Sequence, residues 1–295
     1  MNQSVVAKYE CKTYNASLYQ EPLFAEDLCI VSDNVKNVNF ETNDSFNAVG
    51  LLSLSDKNIL YSENMHDKVY PASLSKLLTF YIASKYGNMD DIVTVSNTAT
   101  ILPSGSSRAW LKAGDQMTLK DLLCSMMIAS GNDSAIAIAE YISGTEAAFA
   151  ELMNKEARLL GATNSHFVNA HGYHDDNHYS TAYDLYLIMN ACLKNETFLE
   201  LISTSVYRTA ITEPDGYQRK VEWIQSNLYM NGGQTVPTGI TIVGGKTGTT
   251  DEAKACLMLY CTDSDSNPYV SIIMGAEKKY ILYQNMTSLI ASIAN

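Results

Sequence analysis

Ser73 and Lys76 are a serine and a lysine three residues apart at the start of a predicted helix. Pro71 suits the first turn of a helix, because its ring fixes φ and its missing N–H would have no partner there. Apolar residues then recur at helical spacing, and Gly87 is a stop signal. Residues i and i+3 of a helix are neighbours. The two side chains are therefore expected to lie together, on a helix that is buried along one face.

A serine and a lysine in contact can form an activated nucleophile. The serine hydroxyl attacks only when a base takes its proton, and lysine is a base only where burial disfavours its ammonium form. The first turn of a helix also stabilises developing negative charge through its free N–H groups and its dipole. The alternative is an ordinary serine beside a solvent-exposed lysine. About one S-x-x-K is expected by chance in a chain of this size, so the pair alone does not establish catalysis.

Two further polar motifs stand at the borders of predicted elements. The stretch SGN falls between two helical runs, where a loop could present Ser130 and Asn132 to a cleft. This signal is weak alone, since SDN and SEN occur upstream. The stretch GGKTGTT ends a predicted strand and contains Lys246, Thr247 and Gly248. A glycine at such a position permits close approach of the backbone to a ligand.

The three motifs, in this order, resemble those of the penicillin-recognising serine acyltransferases, which include penicillin-binding proteins and serine β-lactamases. Longer stretches, among them YPASLSKLLT, GDQMTLKDLLCSMMIASGNDSAIAIAE, HYSTAYDL and GGKTGTTDEAKACL, are similar to the low-molecular-weight D-alanyl-D-alanine carboxypeptidases, particularly those of Gram-positive bacteria. The resemblance implies a serine DD-peptidase that removes the terminal D-alanine from peptidoglycan stem pentapeptides and is acylated by β-lactams. It also implies a location outside the cytoplasm, at the cell surface or secreted, with a signal or anchor in a segment absent from this chain.

The same resemblance assigns catalytic roles. Ser73 is expected to attack the carbonyl of the penultimate D-alanine, with Lys76 as its general base. Ser130 is expected to carry a proton to the leaving amine. The chemistry needs no metal and no cofactor.

Substrate-binding roles follow from the resemblance too. Asn132 is expected to bind the substrate amide and to hold the catalytic lysine. Lys246 and Thr247 are expected to bind the terminal carboxylate, a charge-assisted contact. Backbone N–H groups of the nucleophile and of Thr249 would form the oxyanion hole, and Gly248 would let its strand approach the substrate.

Two rival functions share these motifs. A class A β-lactamase needs a glutamate after S-x-N to activate the deacylating water, and no E-x-x-L-N lies between Ser130 and Lys246. The segment ELMN at 151–154 is too close to Ser130 and falls within a predicted helix. Efficient hydrolysis of β-lactams is therefore not expected. A β-lactam receptor domain would stay acylated, and only the long carboxypeptidase-like stretches favour the enzyme over it.

Composition and charge restrict the partners. The chain has 295 residues, of which 46% are hydrophobic, so it can bury a full core. A net charge of −12 argues against nucleic acid, because phosphate binding needs a basic surface. No apolar run approaches about 18 residues, and no basic amphipathic helix is present. The start lacks the pattern of a signal peptide. Membrane anchoring is therefore expected only through segments absent from this chain.

The order of predicted elements indicates an α/β (α+β) fold. Two strands in AVGLLSLSDKNILYS precede the first helix, helical patterning runs from Thr118 to about Thr204, and three strands and a closing helix follow. We expect a β-lactamase/transpeptidase-like architecture, with an antiparallel sheet flanked by helices and a helical subdomain inserted at about 88–238. Residues 1–25 are interpreted as a linker, and residues 26–295 as the catalytic domain.

Two clusters leave alternatives open. The six cysteines form no C-x-x-C, but Cys11 and Cys29 could pair in an oxidising compartment. HGYHDDNH at 171–178 combines imidazole and carboxylate groups, which zinc prefers. The alternative is a solvated loop before a helix capped at Ser180 or Thr181. Since the chemistry of the resembling family uses no metal, we expect none here.

Overall fold

The computed structural model describes residues 27–294, which form two antiparallel sheets and the helices around them. Its ten strands are β1 (Val35–Lys36), β2 (Ala48–Ser53), β3 (Asn58–Glu63), β4 (Ile92–Thr94), β5 (Gln116–Thr118), β6 (Val206–Thr212), β7 (Gln218–Ile224), β8 (Thr241–Thr250), β9 (Lys254–Thr262) and β10 (Pro268–Ala276). Its eight α-helices are α1 (Lys76–Tyr86), α2 (Asn97–Thr100), α3 (Leu119–Ile128), α4 (Asn132–Ser143), α5 (Glu146–Leu159), α6 (Ala182–Cys192), α7 (Glu196–Ser203) and α8 (Lys279–Ala291).

The larger sheet combines both ends of the described chain in the order β1-β3-β2-β10-β9-β8. Because successive strand residues point to opposite faces, Ile272 and Met274 of β10 join the core that contains α1, whereas Ile273 packs with α8. Burial on both faces explains why its central strands are nearly continuous apolar runs. The predicted antiparallel sheet flanked by helices, with strands from both ends of the chain, is confirmed.

A second sheet, ordered β4-β5-β6-β7, lies within residues 88–238. The sequence analysis predicted only helices in this range. β4 and β5 are three residues long, too short for a periodic signal, and β5 ends at Thr118, whose side chain caps α3. The β6–β7 hairpin is polar and half-exposed, so it has no buried apolar run. The inserted region therefore contains a small sheet as well as helices, and its division from the rest of the chain stays a prediction.

The helix predicted after Pro71 begins with a 3-10 turn, Ala72–Ser75, which continues directly into α1. It ends as expected at Gly87, whose N–H bonds to the carbonyl of Ala83. The expectation of burial along one face is wrong, because five consecutive residues from Lys76 to Phe80 are buried. α1 lies between the large sheet and the helices of the inserted region, so nearly its whole circumference is covered. The Ser73 turn (Ala72–Ser75) is thereby fixed on a rigid element.

Of the two cysteines that were expected to be able to pair, Cys29 lies within the described residues and Cys11 does not. Cys29 is a free, buried thiol whose Sγ donates a hydrogen bond to the carbonyl of Ser53, while its candidate partner Cys11 lies outside the described residues. The linker proposed for residues 1–25 also lies outside them. Among the described helices, none has the length and apolar character needed to span a bilayer.

Candidate active site

Ser73 and Lys76 are in contact at the junction of the Ser73 turn and α1. The lysine Nζ lies 3.0 Å from Ser73 Oγ. The two residues are i and i+3 in a continuous helical path, which is the geometry that the sequence predicts. Ser73 is half-buried and Lys76 is fully buried. The hydroxyl is thus accessible to a ligand from outside, and the amine reaches it from within the protein.

Two carbonyl oxygens complete the surroundings of the Lys76 amine. Nζ donates to Asn132 Oδ1 at 2.7 Å and to the backbone carbonyl of His171 at 2.7 Å. Burial lowers the pKa of Lys76 well below its usual value, and the nearby charge of Lys246 lowers that pKa further, while Asp133 opposes them. No carboxylate hydrogen-bonds to this amine in residues 27–294. The site therefore favours a neutral amine beside the serine.

Lys246 and Ser130 form a second hydroxyl–amine pair. Lys246 Nζ donates to Ser130 Oγ at 2.8 Å and to the carbonyl of Thr247 at 3.1 Å. Burial lowers the pKa of Lys246 to about 7. Ser130 has a positive φ of 58° and lies two residues before α4 begins. Asn132, the first residue of that helix, donates its N–H to the carbonyl of Ser107. The S-x-N loop thus presents its serine to one lysine and its asparagine to the other.

Strand β8 lies directly against the Ser73 turn at Gly248. A Cβ at this position would lie 3.1 Å from the Pro71 carbonyl oxygen and 3.2 Å from the Ser73 nitrogen. Such contacts are tighter than most real Cβ contacts, so a side chain would push the strand away. The glycine thus serves close approach to the nucleophile turn as well as any approach to substrate. Beside it, Thr247 Oγ1 lies 2.8 Å from Ser226 Oγ.

The segment that contains the candidate zinc cluster contacts the site through its backbone. A Cβ at Gly172, where φ is +82°, would lie 1.8 Å from the Ala72 carbonyl oxygen, so only glycine fits there. Its neighbour His171 supplies the carbonyl that binds Lys76. The sequence analysis missed this contribution. The signal was a glycine within a polar loop, and it carries no information about which element the loop touches.

Each histidine ring of the 171–178 segment contacts different neighbouring groups. His171 Nδ1 accepts the N–H of Tyr173, and its Nε2 lies 3.3 Å from the carboxylate of Glu146. His178 contacts Ser75, and His174 packs edge-on against Tyr70. Nowhere in the described chain do three or more His, Cys, Asp or Glu side chains form a group that could hold a metal ion. The helix that follows is capped by Thr181, one of the two expected caps.

Asp133 is a second residue that sequence reasoning missed. Its buried carboxylate accepts the N–H groups of Ala109 and Leu111, together with that of Ser134. It therefore fixes residues 109–111, which directly follow the 104–107 loop and its neighbour Arg108, against the start of α4. An acidic residue in the first turn of a helix is a common capping feature, so its type and position did not reveal this longer-range contact.

Two cavities flank Ser73. The larger, about 510 Å³, is bounded by Asn132, by the 104–107 loop and by residues 249–252 of β8 and the following turn. The smaller, about 190 Å³, extends past Ser130 and α8. Ser73 and Thr249 line both cavities. A peptide could therefore lie along β8 with one part on each side of the serine.

All eight residues singled out from the sequence are brought together. Six line the two cavities, and the lysines lie beneath them with Nζ bonded to the two serines; the six are Ser73, Ser130, Asn132, Thr247, Gly248 and Thr249. Two serines, each bonded to a buried lysine, beside a strand that approaches the first serine, define a serine acyltransferase type of site.

Comparison with known proteins identifies the family. Residues 42–278 match the D-alanyl-D-alanine carboxypeptidases of peptidase family S11, and the chain belongs to this family. It is 32% identical over 231 residues to the D-alanyl-D-alanine carboxypeptidase DacF of Bacillus subtilis, covering 77% of this chain and 56% of that protein. It is also 32% identical over 251 residues to the D-alanyl-D-alanine carboxypeptidase DacC of Escherichia coli, covering 81% of this chain and 59% of that protein. The chain thus spans little more than half the length of these relatives.

The fold is also that of a solved member of this class. The crystal structure of the Streptomyces K15 DD-transpeptidase superposes with a TM-score of 0.77 at 25% identity, covering 86% of this chain and 100% of that one. The resemblance to DD-carboxypeptidases and the β-lactamase/transpeptidase-like fold, both expected from the sequence, are confirmed.

The buried histidines predict a loss of stability in acid. Burial lowers the pKa of both His171 and His178 from 6.5 to about 3. Between these two pH values the unfolded chain binds more protons than the folded protein. The free energy of unfolding therefore decreases as pH is lowered, by up to about 1.4 kcal/mol per pH unit for each histidine. Urea unfolding of wild type and His178→Gln between pH 7 and 5 tests this. The variant should show a slope smaller by about one proton, because the unfolded chain then lacks the group that binds it. Equal slopes in wild type and His178→Gln would contradict the pKa assignment.

Proposed function

We propose that this protein is a serine DD-carboxypeptidase that removes the terminal D-alanine from peptidoglycan stem peptides through an acyl-enzyme on Ser73. The observation that carries the proposal is the set of three contacts made by the Lys76 amine. The carbonyl oxygens of Asn132 and His171 can only accept hydrogen bonds. They therefore hold both N–H groups of a neutral amine. Its lone pair is left to face Ser73 Oγ at 3.0 Å, ready to take the hydroxyl proton.

Acylation then proceeds with each group in its place. Ser73 Oγ attacks the carbonyl carbon of the penultimate D-alanine as its proton passes to Lys76. The C–N bond to the terminal D-alanine breaks, and the leaving nitrogen takes a proton from Ser130 Oγ, while the Lys246 ammonium, 2.8 Å from that oxygen, stabilises the negative charge left on it. Water later attacks the ester and its remaining proton restores the Ser73 hydroxyl, while the proton held by Lys76 returns through solvent to Ser130, so the products are the shortened peptide and free D-alanine.

Developing negative charge on the substrate oxygen requires donors beside the nucleophile. The N–H groups of Ser73 and Thr249 are the proposed pair, since both residues line both cavities and β8 lies against the Ser73 turn. Removing a single donor of this kind typically costs about 3 kcal/mol of transition-state stabilisation.

The terminal carboxylate of the substrate is assigned to Lys246 and Thr247. Burial lowers the pKa of Lys246 to about 7, so a desolvated carboxylate beside it would favour its charged form. Thr247 Oγ1 adds a hydroxyl on the same strand, where it lines the smaller cavity. A ligand without that carboxylate would lose this contact.

β-Lactams are proposed as covalent inhibitors, because they present a carboxylate and a strained amide to the same groups. In the described chain no carboxylate from residues 131–245 lines either cavity, so the water-activating glutamate of a class A β-lactamase has no counterpart there. The acyl-enzyme formed by a β-lactam should therefore persist. Since peptidoglycan lies outside the cytoplasm, we propose extracytoplasmic action, at the surface of a Gram-positive cell or secreted.

Ser73 should be the only acylated residue. Wild type incubated with fluorescent penicillin should carry one covalent label at Ser73, and it should release D-alanine from a peptide that ends in Lys-D-Ala-D-Ala. Ser73→Ala should abolish both signals, because no nucleophile remains. Ser104→Ala, in the wall of the same cavity, should keep both. Labelling that survives in Ser73→Ala would overturn the proposal, and labelling without D-alanine release would favour the receptor alternative.

The two lysines should respond differently to arginine. Lys76→Arg keeps the charge but removes the base, because guanidinium does not deprotonate in proteins. We expect it to fold yet to lose several orders of magnitude in penicillin acylation, whereas Lys246→Arg keeps a measurable fraction. In wild type the acylation rate should fall as pH rises past about 7, where Lys246 loses its charge, and Lys246→Arg should remove that fall. Acylation rates at several pH values, with thermal melts, test both expectations. Equal losses in two folded arginine variants would contradict the general-base role.

A further inference from the structure

His178 contacts the Ser73 turn from the protein interior, although it lies 105 residues after the nucleophile in the sequence. Its ring is only 2% exposed and lies beneath the turn rather than in either cavity. Its Nε2 is 2.7 Å from Ser75 Oγ, and its Nδ1 is 3.2 Å from the backbone nitrogen of Val168. The ring takes no part in the proton transfers of the proposed reaction.

The hydrogen bonds around this ring are compatible with one arrangement of protons. The N–H of Val168 can only donate, so His178 Nδ1 accepts and carries no proton. The neutral ring then has its proton on Nε2 and donates to Ser75 Oγ. The hydroxyl proton of Ser75 is left for the carbonyl oxygen of Ala72, which lies 2.9 Å away. The result is a relay, His178 to Ser75 to the Ala72 carbonyl.

The last member of this relay belongs to the same peptide unit as the Ser73 N–H. A trans peptide is planar, and its C=O and N–H point in opposite directions. Fixing the Ala72 oxygen therefore fixes the direction of the N–H that would donate to the oxyanion. Gly172 also lies directly against that oxygen, since a Cβ there would lie 1.8 Å from it.

The turn needs such support because Ala72 is in an unfavourable backbone conformation. Its φ is +47°, a region that residues with a Cβ rarely adopt. Conformations of this kind persist only when the surrounding structure holds them. Without the hydrogen bond from Ser75 the peptide between Ala72 and Ser73 would be freer to rotate, and its N–H would spend less time directed at the reacting oxygen.

We propose that His178 is a positioning residue that sets the oxyanion-hole N–H of Ser73 through Ser75. The inference rests on the proposed acyl-transfer function, but it concerns a residue that touches neither substrate nor nucleophile. Loss of the relay should lower acylation and kcat by about tenfold, less than the loss of a whole donor, because the N–H remains present but is less well directed. KM should change little, since the contact strengthens in the transition state.

Two amide variants separate the relay from simple packing. Gln at position 178 places its side-chain nitrogen near the former Nε2 and can still donate to Ser75. Asn has a shorter side chain that can replace only the acceptor for the Val168 N–H. We expect His178→Gln to keep most of the acylation rate and kcat, and His178→Asn to lose about tenfold in each with a nearly unchanged KM. His166→Gln, in the same segment but exposed, is the matched control and should behave as wild type.

The relay also predicts non-additivity. Ser75→Ala removes the link itself, so it should slow acylation about as much as His178→Asn, and the double variant should be no slower than Ser75→Ala alone. Rates are measured per folded protein, with melts for every variant. Folded His178→Asn and Ser75→Ala variants that acylate at the wild-type rate would overturn the inference, and so would losses that multiply in the double variant.

A measurement on wild type covers the case in which variants fail to fold. Nitrogen-15 NMR of the histidine rings should show His178 as the neutral Nε2–H tautomer between pH 5 and 8. A proton on Nδ1 would overturn the relay, because Ser75 would then donate to the ring instead of to Ala72. Wild type that is not labelled by penicillin would instead refute the proposed function, so the two failures are distinguishable.

Discussion

A buried amine with no carboxylate partner is the constraint on which the rest of the site depends. Lys76 is fully buried, and in the described chain its Nζ bonds only to a serine hydroxyl, an amide oxygen and a backbone carbonyl. Burying an unpaired charge is costly, so the amine gives up its proton rather than keep it. Acceptors that cannot donate then orient the lone pair. Basicity and direction both follow from this one arrangement.

Distant segments of the chain must meet to build that environment. The start of α4 supplies Asn132, the loop before α6 supplies the His171 carbonyl, and β8 brings Lys246 close enough for its charge to lower the Lys76 pKa further. Asp133, a nearby acid that opposes the shift, has its oxygens occupied by backbone N–H groups. The two sheets and the central α1 fix these segments relative to one another. The scaffold thereby keeps a potential counter-ion engaged elsewhere.

The sequence predicted the elements that depend on hydrophobic periodicity and residue type. It did not predict the contacts that depend on the close approach of segments distant in the chain. β2 and β3, the last three strands, α8 and the Ser73–Lys76 contact follow from alternation or from helical spacing. The second sheet escaped prediction because its strands are short or polar. Gly172 and His178 act on the Ser73 turn through one backbone contact and one buried bond. Such contacts have no periodic signature, and only the folded chain shows which loop touches which turn.

The protonation state of Lys76 is the most direct test of this account. Carbon-13 NMR of protein labelled at lysine Cε reports the charge of each amine as pH is varied, and the signal of Lys76 is assigned as the one that disappears in Lys76→Arg. The account predicts a signal that titrates well below pH 10.5, apart from the signals of the exposed lysines. A Lys76 that keeps its proton up to pH 10.5, as an exposed lysine does, would contradict the claim that burial makes this amine the base.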